Sequence, residues 1–427
     1  MKFILTILLL GQFLMAAKIE QIKVHNTQVP LLVEQDKCLP LITMQFIFTN
    51  SGSITDDKKA GLAKLSAKLL NQGTKTKGAS LFANELEARA ISLSCNVGTE
   101  TFVIELSCLK EEFPYALKHL QELLNEPNLT KETLQKIQKM TVGSLSRKKD
   151  DFDYVASKEL KSILFAGTVL QNPASGTIKS VESITLKEVQ AFLNTHLSYS
   201  NLIVLLGGDV NIKEVKKQLL PIIKTLPSKK VVKLQHFDAT SVPKETILIK
   251  NTQQAYLYFG SPYNMLVQDK DNYKAKVATY ILGAGGFGSR LMEEIRVKRG
   301  LAYSAYARTT VTKSRSYFSG YLQTKLDSLD EAKKTVTDVI ANFVQNGVTK
   351  EELEQTKKFL LGSEPLRVET MSQRLNRSFQ EYYKGAELGS SANELKKIEK
   401  LTLKELNSFI KKHTEITQLS FAVVTKK

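Results

Sequence analysis

One twelve-residue pattern occurs twice, and this repetition constrains the fold more than any other feature of the chain. Thr185–His196 reads TLKEVQAFLNTH and Thr402–His413 reads TLKELNSFIKKH, an ungapped match at an offset of 217 positions. Each copy runs into an apolar strand, Asn201–Leu206 (NLIVLL) in one case and Gln418–Val424 (QLSFAVV) in the other. A shorter echo, Leu129–Glu132 against Val348–Glu351, recurs at 219 positions. Apolar periodicity repeated in order implies repeated packing, so the chain reads as two tandem homologous halves of about 200 residues each. The join falls where PSKKVVKLQHFDATSVPKE, from Pro227 to Glu245, is polar, basic and flanked by prolines. The expected organisation is a leader over 1–17, an N-terminal half over 18–225, a linker over 226–244 and a C-terminal half over 245–427. Within each half, alternating strands such as Leu41–Phe48 and Thr101–Leu109 mix with amphipathic helices such as Phe113–Leu124. The predicted class is therefore α+β.

With 427 residues, 42% hydrophobic and 24% charged, the chain can bury more than one core, which excludes disorder as its dominant state. Its first seventeen residues read as a secretory signal: Lys2, an apolar run from Phe3 to Leu14, then Ala16 and Ala17 for cleavage. That run is too short for a membrane span, so export to the periplasm or beyond is expected. A net charge of +17 raises nucleic acid or an anionic membrane as partners. The lysines are scattered, however, and Arg147-Lys148-Lys149 meets Asp150-Asp151 at once. The pattern predicts a solvated basic surface, no nucleic-acid partner, and at most weak electrostatic attraction to a membrane. Three cysteines, Cys38, Cys95 and Cys108, allow one disulfide at most. Cys95 and Cys108 fall at unequal distances from a hairpin turn near Gly98, so both are expected as small buried side chains.

Hydrolysis by zinc needs three protein ligands, an open position for water and usually a carboxylate base. The five histidines, at 25, 119, 196, 236 and 413, form no local two-histidine motif. His119 and Glu122 share a helical i, i+3 spacing, but one pair is an incomplete site and reads as a solvated helix face. No metal and no cofactor is expected. Gly283, Gly285 and Gly288 spell G-x-G-x-x-G after a helical segment rather than a strand, which removes the dinucleotide reading.

Two stretches carry more specific information. Gly283–Tyr303 reads GAGGFGSRLMEEIRVKRGLAY and sets Arg296 seven residues before Tyr303 across a helix end; Gly61–Thr74 reads GLAKLSAKLLNQGT. Together they resemble the insulinase/pitrilysin family of zinc peptidases, nearest its processing-peptidase branch. Active members carry roughly GLAHFLEHMLFKGT, an H-x-x-E-H motif. Aligned on Gly61, Leu62, Ala63, Leu70, Gly73 and Thr74, its histidines fall on Lys64 and Lys68 and its glutamate on Ala67. The third ligand of the family would fall near Ser144 or Leu145. The likeness also takes in Ser51-Gly52-Ser53 and Leu205–Val210.

The resemblance implies a zinc-less, non-catalytic subunit, each of its two halves a mixed sheet backed by helices, in a clamshell arrangement in which two such subunits close around a cavity. It assigns substrate binding to Arg296 and Tyr303, with Gly285 and Gly286 in a glycine loop that contributes to recognition. Arg offers a planar fork to peptide carbonyls and a phenol can donate to a developing oxyanion. From the residues alone, the favoured reading is that Arg296 pairs with Glu293 at i, i+3 on an exposed face and that Tyr303 packs on its sheet. Strand addition of substrate, usual in the family, would use Ile91–Asn96. The implied partner is a histidine-bearing homologous zinc peptidase subunit, in a heterodimer that processes or degrades peptides. A scaffold protein, or a stand-alone peptide-binding protein without proteolysis, are the alternatives.

Overall fold

The computed structural model describes residues 17–231 and 233–426; the leader proposed over 1–17 lies, Ala17 apart, outside the described residues. The repeated TLKE segments explain themselves locally. Thr185 and Thr402 each cap a helix, Leu186–His196 and Leu403–Lys412, by accepting from the backbone N–H of Glu188 and Glu405. Those glutamates reach back to the cap backbone, so each repeat is a complete capping box. Thr349 begins helix Lys350–Gly362 in the same way.

Two mixed sheets of six strands follow the duplication. The first holds β1 (Lys18–Val24), β2 (Thr27–Gln35), β3 (Leu41–Thr49), β4 (Ser92–Val97), β5 (Thr101–Leu109) and β6 (Leu202–Gly208). Its spatial order is β1-β2-β6-β3-β5-β4. The second holds β7 (Phe237–Asp238), β8 (Glu245–Ile249), β9 (Gln254–Pro262), β10 (Ala302–Val311), β11 (Arg315–Lys325) and β12 (Ser420–Thr425). Its order is β10-β11-β9-β12-β8, with β7 alongside β11. Read from the other edge, β8-β12-β9-β11-β10 reproduces β2-β6-β3-β5-β4. In both, one parallel pair (β2 with β6, β8 with β12) continues into antiparallel neighbours. The segment before β8 is less free than its composition suggests: β7 pairs with Arg315 and Ser316, and Thr240 donates to the Leu164 carbonyl at 2.8 Å.

Each sheet buries one face under helices of its own half, around Phe46, Phe48 and Phe102 in the first and Phe259, Phe318 and Phe343 in the second. The other faces are covered by exchange. Helix Phe152–Leu164 of the first half lays Leu160, Ile163 and Leu164 against Tyr258, Tyr317 and Ala422 of the second sheet. Helix Met371–Lys384 of the second half lays Leu375 and Phe379 against Leu32, Ile47, Ile203 and Leu205 of the first. The two crossing helices start 219 positions apart, the offset of the shorter repeat, so they are equivalent elements of the two copies. Glycine makes room at both crossings. A Cβ on Gly207 would lie 2.5 Å from Leu375, and one on Gly260 would lie 2.9 Å from Leu164.

Polar anchors accompany the exchange. The guanidinium of Arg374 binds Glu34 through Nε and Asp36 through Nη2, the latter at 2.9 Å. The turns of the two equivalent hairpins also meet: Glu100 accepts from Ser314 N at 2.8 Å, from Ser314 Oγ at 2.6 Å and from Tyr383 OH at 2.8 Å.

Cys95 sits opposite Ile104 and Cys108 opposite Ile42; both are buried free thiols, as expected, and burial pushes each up to about 12. Cys38 is exposed and free.

Candidate functional site

Helix Leu62–Leu70 carries the degenerate motif. It begins beneath the buried carboxylate of Asp56, which accepts from the backbone N–H of Gly61 and of Ala63, both at 2.8 Å. Lys64 is exposed, Ala67 is 3% exposed and Lys68 is half-buried, so no carboxylate stands at the central position. Lys68 Nζ donates to Thr141 Oγ1 at 2.9 Å, on helix Lys131–Arg147. Lys68 thus faces the helix from which the third ligand was expected, but one turn before Ser144 and the buried Leu145. Lys68 is thus half-buried and hydrogen-bonded between two helices rather than free in solvent. Burial, then Lys64, then Lys148 hold its ammonium below the usual lysine range.

Burial pushes the Asp56 carboxyl up to about 7 despite its two backbone donors. A carboxyl raised in the folded state contributes fully below its unfolded value near 4, and that contribution is lost as pH rises through 7. Asp56→Asn keeps an acceptor for the helix start and abolishes this titration. Urea unfolding at pH 5 and pH 8 is therefore expected to show a smaller loss of stability across the interval in the variant than in the wild type.

The face of this helix continues, at i, i+4 and i+7, from Lys64 and Lys68 to Asn71. The Asn71 amide donates to the Cys95 carbonyl at 2.9 Å and accepts from the Cys95 N–H at 2.7 Å. β4 is the outer strand of its sheet, so those are the groups that an added strand would use. The expectation of peptide addition along Ile91–Asn96 is corrected accordingly: the edge exists, but a side chain already occupies it at Cys95.

A second correction concerns His119. It is 1% exposed, not part of a solvated face, because its partners come from elsewhere in sequence. Its Nε2 meets Glu85 Oε2 at 2.8 Å and its Nδ1 meets the Tyr115 carbonyl at 3.1 Å. Lys77 Nζ lies between Glu85 and Glu122, at 2.7 Å from each. An ammonium thus fills the position a cation would take, and among the described residues no group of three or more His, Cys, Asp or Glu could hold a metal ion.

Arg296 and Tyr303 are brought together. The chain passes through two π-helical turns, Tyr280–Ala284 and Glu293–Val297, on either side of the glycine loop. Such widened turns mark places where a helix is bent to aim side chains. Gly286 takes φ +64°, a left-handed conformation suited to glycine, and a Cβ on Gly285 would lie 2.8 Å from the Tyr280 ring. β10 then starts at Ala302 as the outer strand of the second sheet, with a register irregularity between Ala302 and Ala305. Tyr303 is 81% exposed there rather than packed on its sheet. The Arg296 guanidinium carbon stands 4.2 Å from the Tyr303 ring centre and 4.5 Å from that of Phe287, itself 68% exposed. Glu293 does not pair with it. Among the described residues, no side chain or carbonyl engages the Arg296 fork. Phe287 escaped the sequence reading; the signal was an aromatic residue set between glycines in GGFG.

Tyr303 also borders a cleft of about 420 Å³ shared with Asp153, Tyr258, Ser304, Tyr321 and Gln323. Asp153, from the crossing helix, accepts from Tyr258 OH at 3.0 Å and Gln323 Nε2 at 2.6 Å. Tyr258 and Tyr321 stack at 5.4 Å. A larger groove, about 830 Å³, lies behind the glycine loop. Its charges are mostly paired among themselves, Arg290 with Glu352 and Lys334 with Asp338.

Comparison with known proteins agrees with this geometry. Residues 45–178 match the model of the insulinase family (peptidase family M16), and residues 183–360 match that of the peptidase M16 inactive domain. The non-peptidase homolog YmxG of Helicobacter pylori is 42% identical over 428 residues, covering 100% of this chain and 99% of that protein. The structure of a peptidase M16 inactive domain from Pseudomonas fluorescens superposes with a TM-score of 0.88 at 23% identity, over 96% of this chain and 98% of that one. The first half of the periplasmic protease PqqL from Escherichia coli shares the fold, with a TM-score of 0.75 at 15% identity, over 97% and 92% of the two chains. With lysine and alanine in place of the metal ligands and the base, with both family models matched and with a non-peptidase relative 42% identical over the whole chain, the chain belongs to the insulinase family, peptidase M16, as a non-catalytic member.

Proposed function

We propose that this chain is the exported, zinc-less subunit of a two-chain peptidase, in which a histidine-bearing homologue supplies the metal. This chain supplies Arg296 and Tyr303, which hold the peptide in the site of the partner. The observation that carries the reading is the exposed stack of Phe287, Arg296 and Tyr303, with a guanidinium held in place by two rings while its donor fork stays unengaged. A fork so oriented by stacking loses little further freedom when it binds peptide carbonyls. Export is supported by the leader-like first seventeen residues and by the periplasmic description of PqqL. Among the described residues no helix is long and apolar enough to cross a membrane.

The test is peptide hydrolysis by the purified mature chain, alone and mixed with the histidine-bearing homologue from the same organism, with co-elution followed on a sizing column. Activity confined to the mixture, from a complex that co-elutes, is the expected result. No gain in activity and no association would leave a scaffold or a solitary peptide holder instead.

A further inference from the structure

The helix that cannot hold a cation has the components of an anion site. Lys64 and Lys68 lie one turn apart on one face of Leu62–Leu70, and Lys148 caps the end of Lys131–Arg147. The Lys148 ammonium is 4.6 Å from the Tyr154 ring centre. Lys68 spends one N–H on Thr141, which leaves two of its three donors without a protein acceptor, while the Thr141 hydroxyl keeps its own proton to give. Among the described residues, no ion pair engages Lys64, Lys68 or Lys148. Several lysines elsewhere in the molecule are ion-paired, among them Lys77 with Glu85 and Glu122, Lys59 with Glu188, Lys216 with Glu20 and Lys333 with Glu245. Every charge named as acting on Lys68 is positive, which raises the cost of keeping this half-buried ammonium unpaired.

The same helical face ends at the outer strand of the first sheet. Asn71, one turn beyond Lys68, already pairs with β4 at Cys95, so an extended ligand cannot continue along that edge past this residue. A chain terminus or an acidic side chain stopping beside Lys68 is what the arrangement can receive. We infer that Lys64, Lys68 and Lys148, with the Thr141 hydroxyl, form a binding site for a peptide carboxylate at the position where active relatives hold their metal. The ligand class rests on the peptide-holding reading above; the site itself needs neither a partner subunit nor Arg296.

The experiment measures binding of fluorescent peptides to the full mature chain by anisotropy at low ionic strength. Three probes of one length are compared: a neutral sequence with a free C-terminal carboxylate, the same sequence amidated, and the amidated sequence with one internal glutamate. At least tenfold tighter binding of one carboxylate-bearing probe over the neutral amide is expected, and which one identifies the source of the carboxylate. The preference should shrink with added salt, disappear in Lys64→Gln/Lys68→Gln, and survive in the charge-conserving Lys68→Arg. Equal binding of all three probes, or a preference that survives the double substitution, overturns the site. If the carboxylate preference holds while the mixed subunits show no hydrolysis, the lysine site stands and the two-chain peptidase reading falls. Hydrolysis by the mixture with no preference among the probes means the reverse: the two-chain peptidase stands and the lysine site falls.

Discussion

Arg296→Ala is expected to lower peptide hydrolysis by the mixed subunits about a hundredfold while leaving the melting temperature of this chain nearly unchanged. The two effects separate because of how the side chain is held. Its contacts within the chain are two ring faces, at 4.2 and 4.5 Å, on a partly exposed surface. Cation–π contacts of this kind are worth about 0.5–1 kcal/mol each when exposed, so the fold loses little. Removing one preorganised donor from an oxyanion or carbonyl contact typically costs about 10²–10³ in rate. Tyr303→Phe dissects the pair further: it keeps the ring beneath Arg296 and removes only the phenol. A fall in kcat with KM unchanged would place that hydroxyl on the transition state, and a rise in KM alone would place it on peptide binding. Unaltered hydrolysis in both variants, with association intact, would remove these residues from the peptide site.

Arg374→Ala should have the largest effect on stability, about 3–5 kcal/mol by urea denaturation. Its guanidinium bridges Glu34 and Asp36 at the end of β2, and Glu34 is only 6% exposed. Burial already raises the Glu34 carboxyl above its usual range, with Arg374 the main group opposing that shift. Truncation leaves a buried carboxyl without its counter-charge and unfastens the helix that covers the outer face of the first sheet. The double variant Glu34→Gln/Arg374→Met should recover part of the loss, since removing both charges abolishes the desolvation problem together with the attraction. A loss below about 1 kcal/mol in Arg374→Ala would show that apolar contacts of Leu375 and Phe379 hold the helix unaided.

Much of the architecture was legible because it is written locally. A threonine followed three residues later by glutamate dictates a helix start wherever it occurs, and its recurrence at a fixed offset disclosed the duplication. The strands Leu41–Thr49 and Thr101–Leu109 follow from alternation, which fixes which side chains face the core. What stayed hidden depends on partners distant in sequence. Nothing in the apolar stripe of Phe152–Leu164 states which sheet it covers, and its periodicity is that of any amphipathic helix. His119 looked solvated because Glu85 and Lys77, which satisfy it, lie on another part of the chain. The side-chain amide of Asn71 was equally unreadable, since its role depends on where β4 comes to rest. In the site, the loss of zinc ligands was plain from residue type alone, whereas the stacking of Phe287 on Arg296 required the bent path of the glycine loop.

The crossing helices give the duplication an unexpected thermodynamic standing. Each repeat has lent the other the cover for one face of its sheet, so neither can complete its own interior when isolated. A protease cutting the connecting segment near Lys229 would leave two fragments clasped together, behaving as an intertwined pair whose separation demands unfolding. Genes encoding the halves separately would have to be expressed together to give soluble product. A gene doubled in sequence thus yields a chain that melts once.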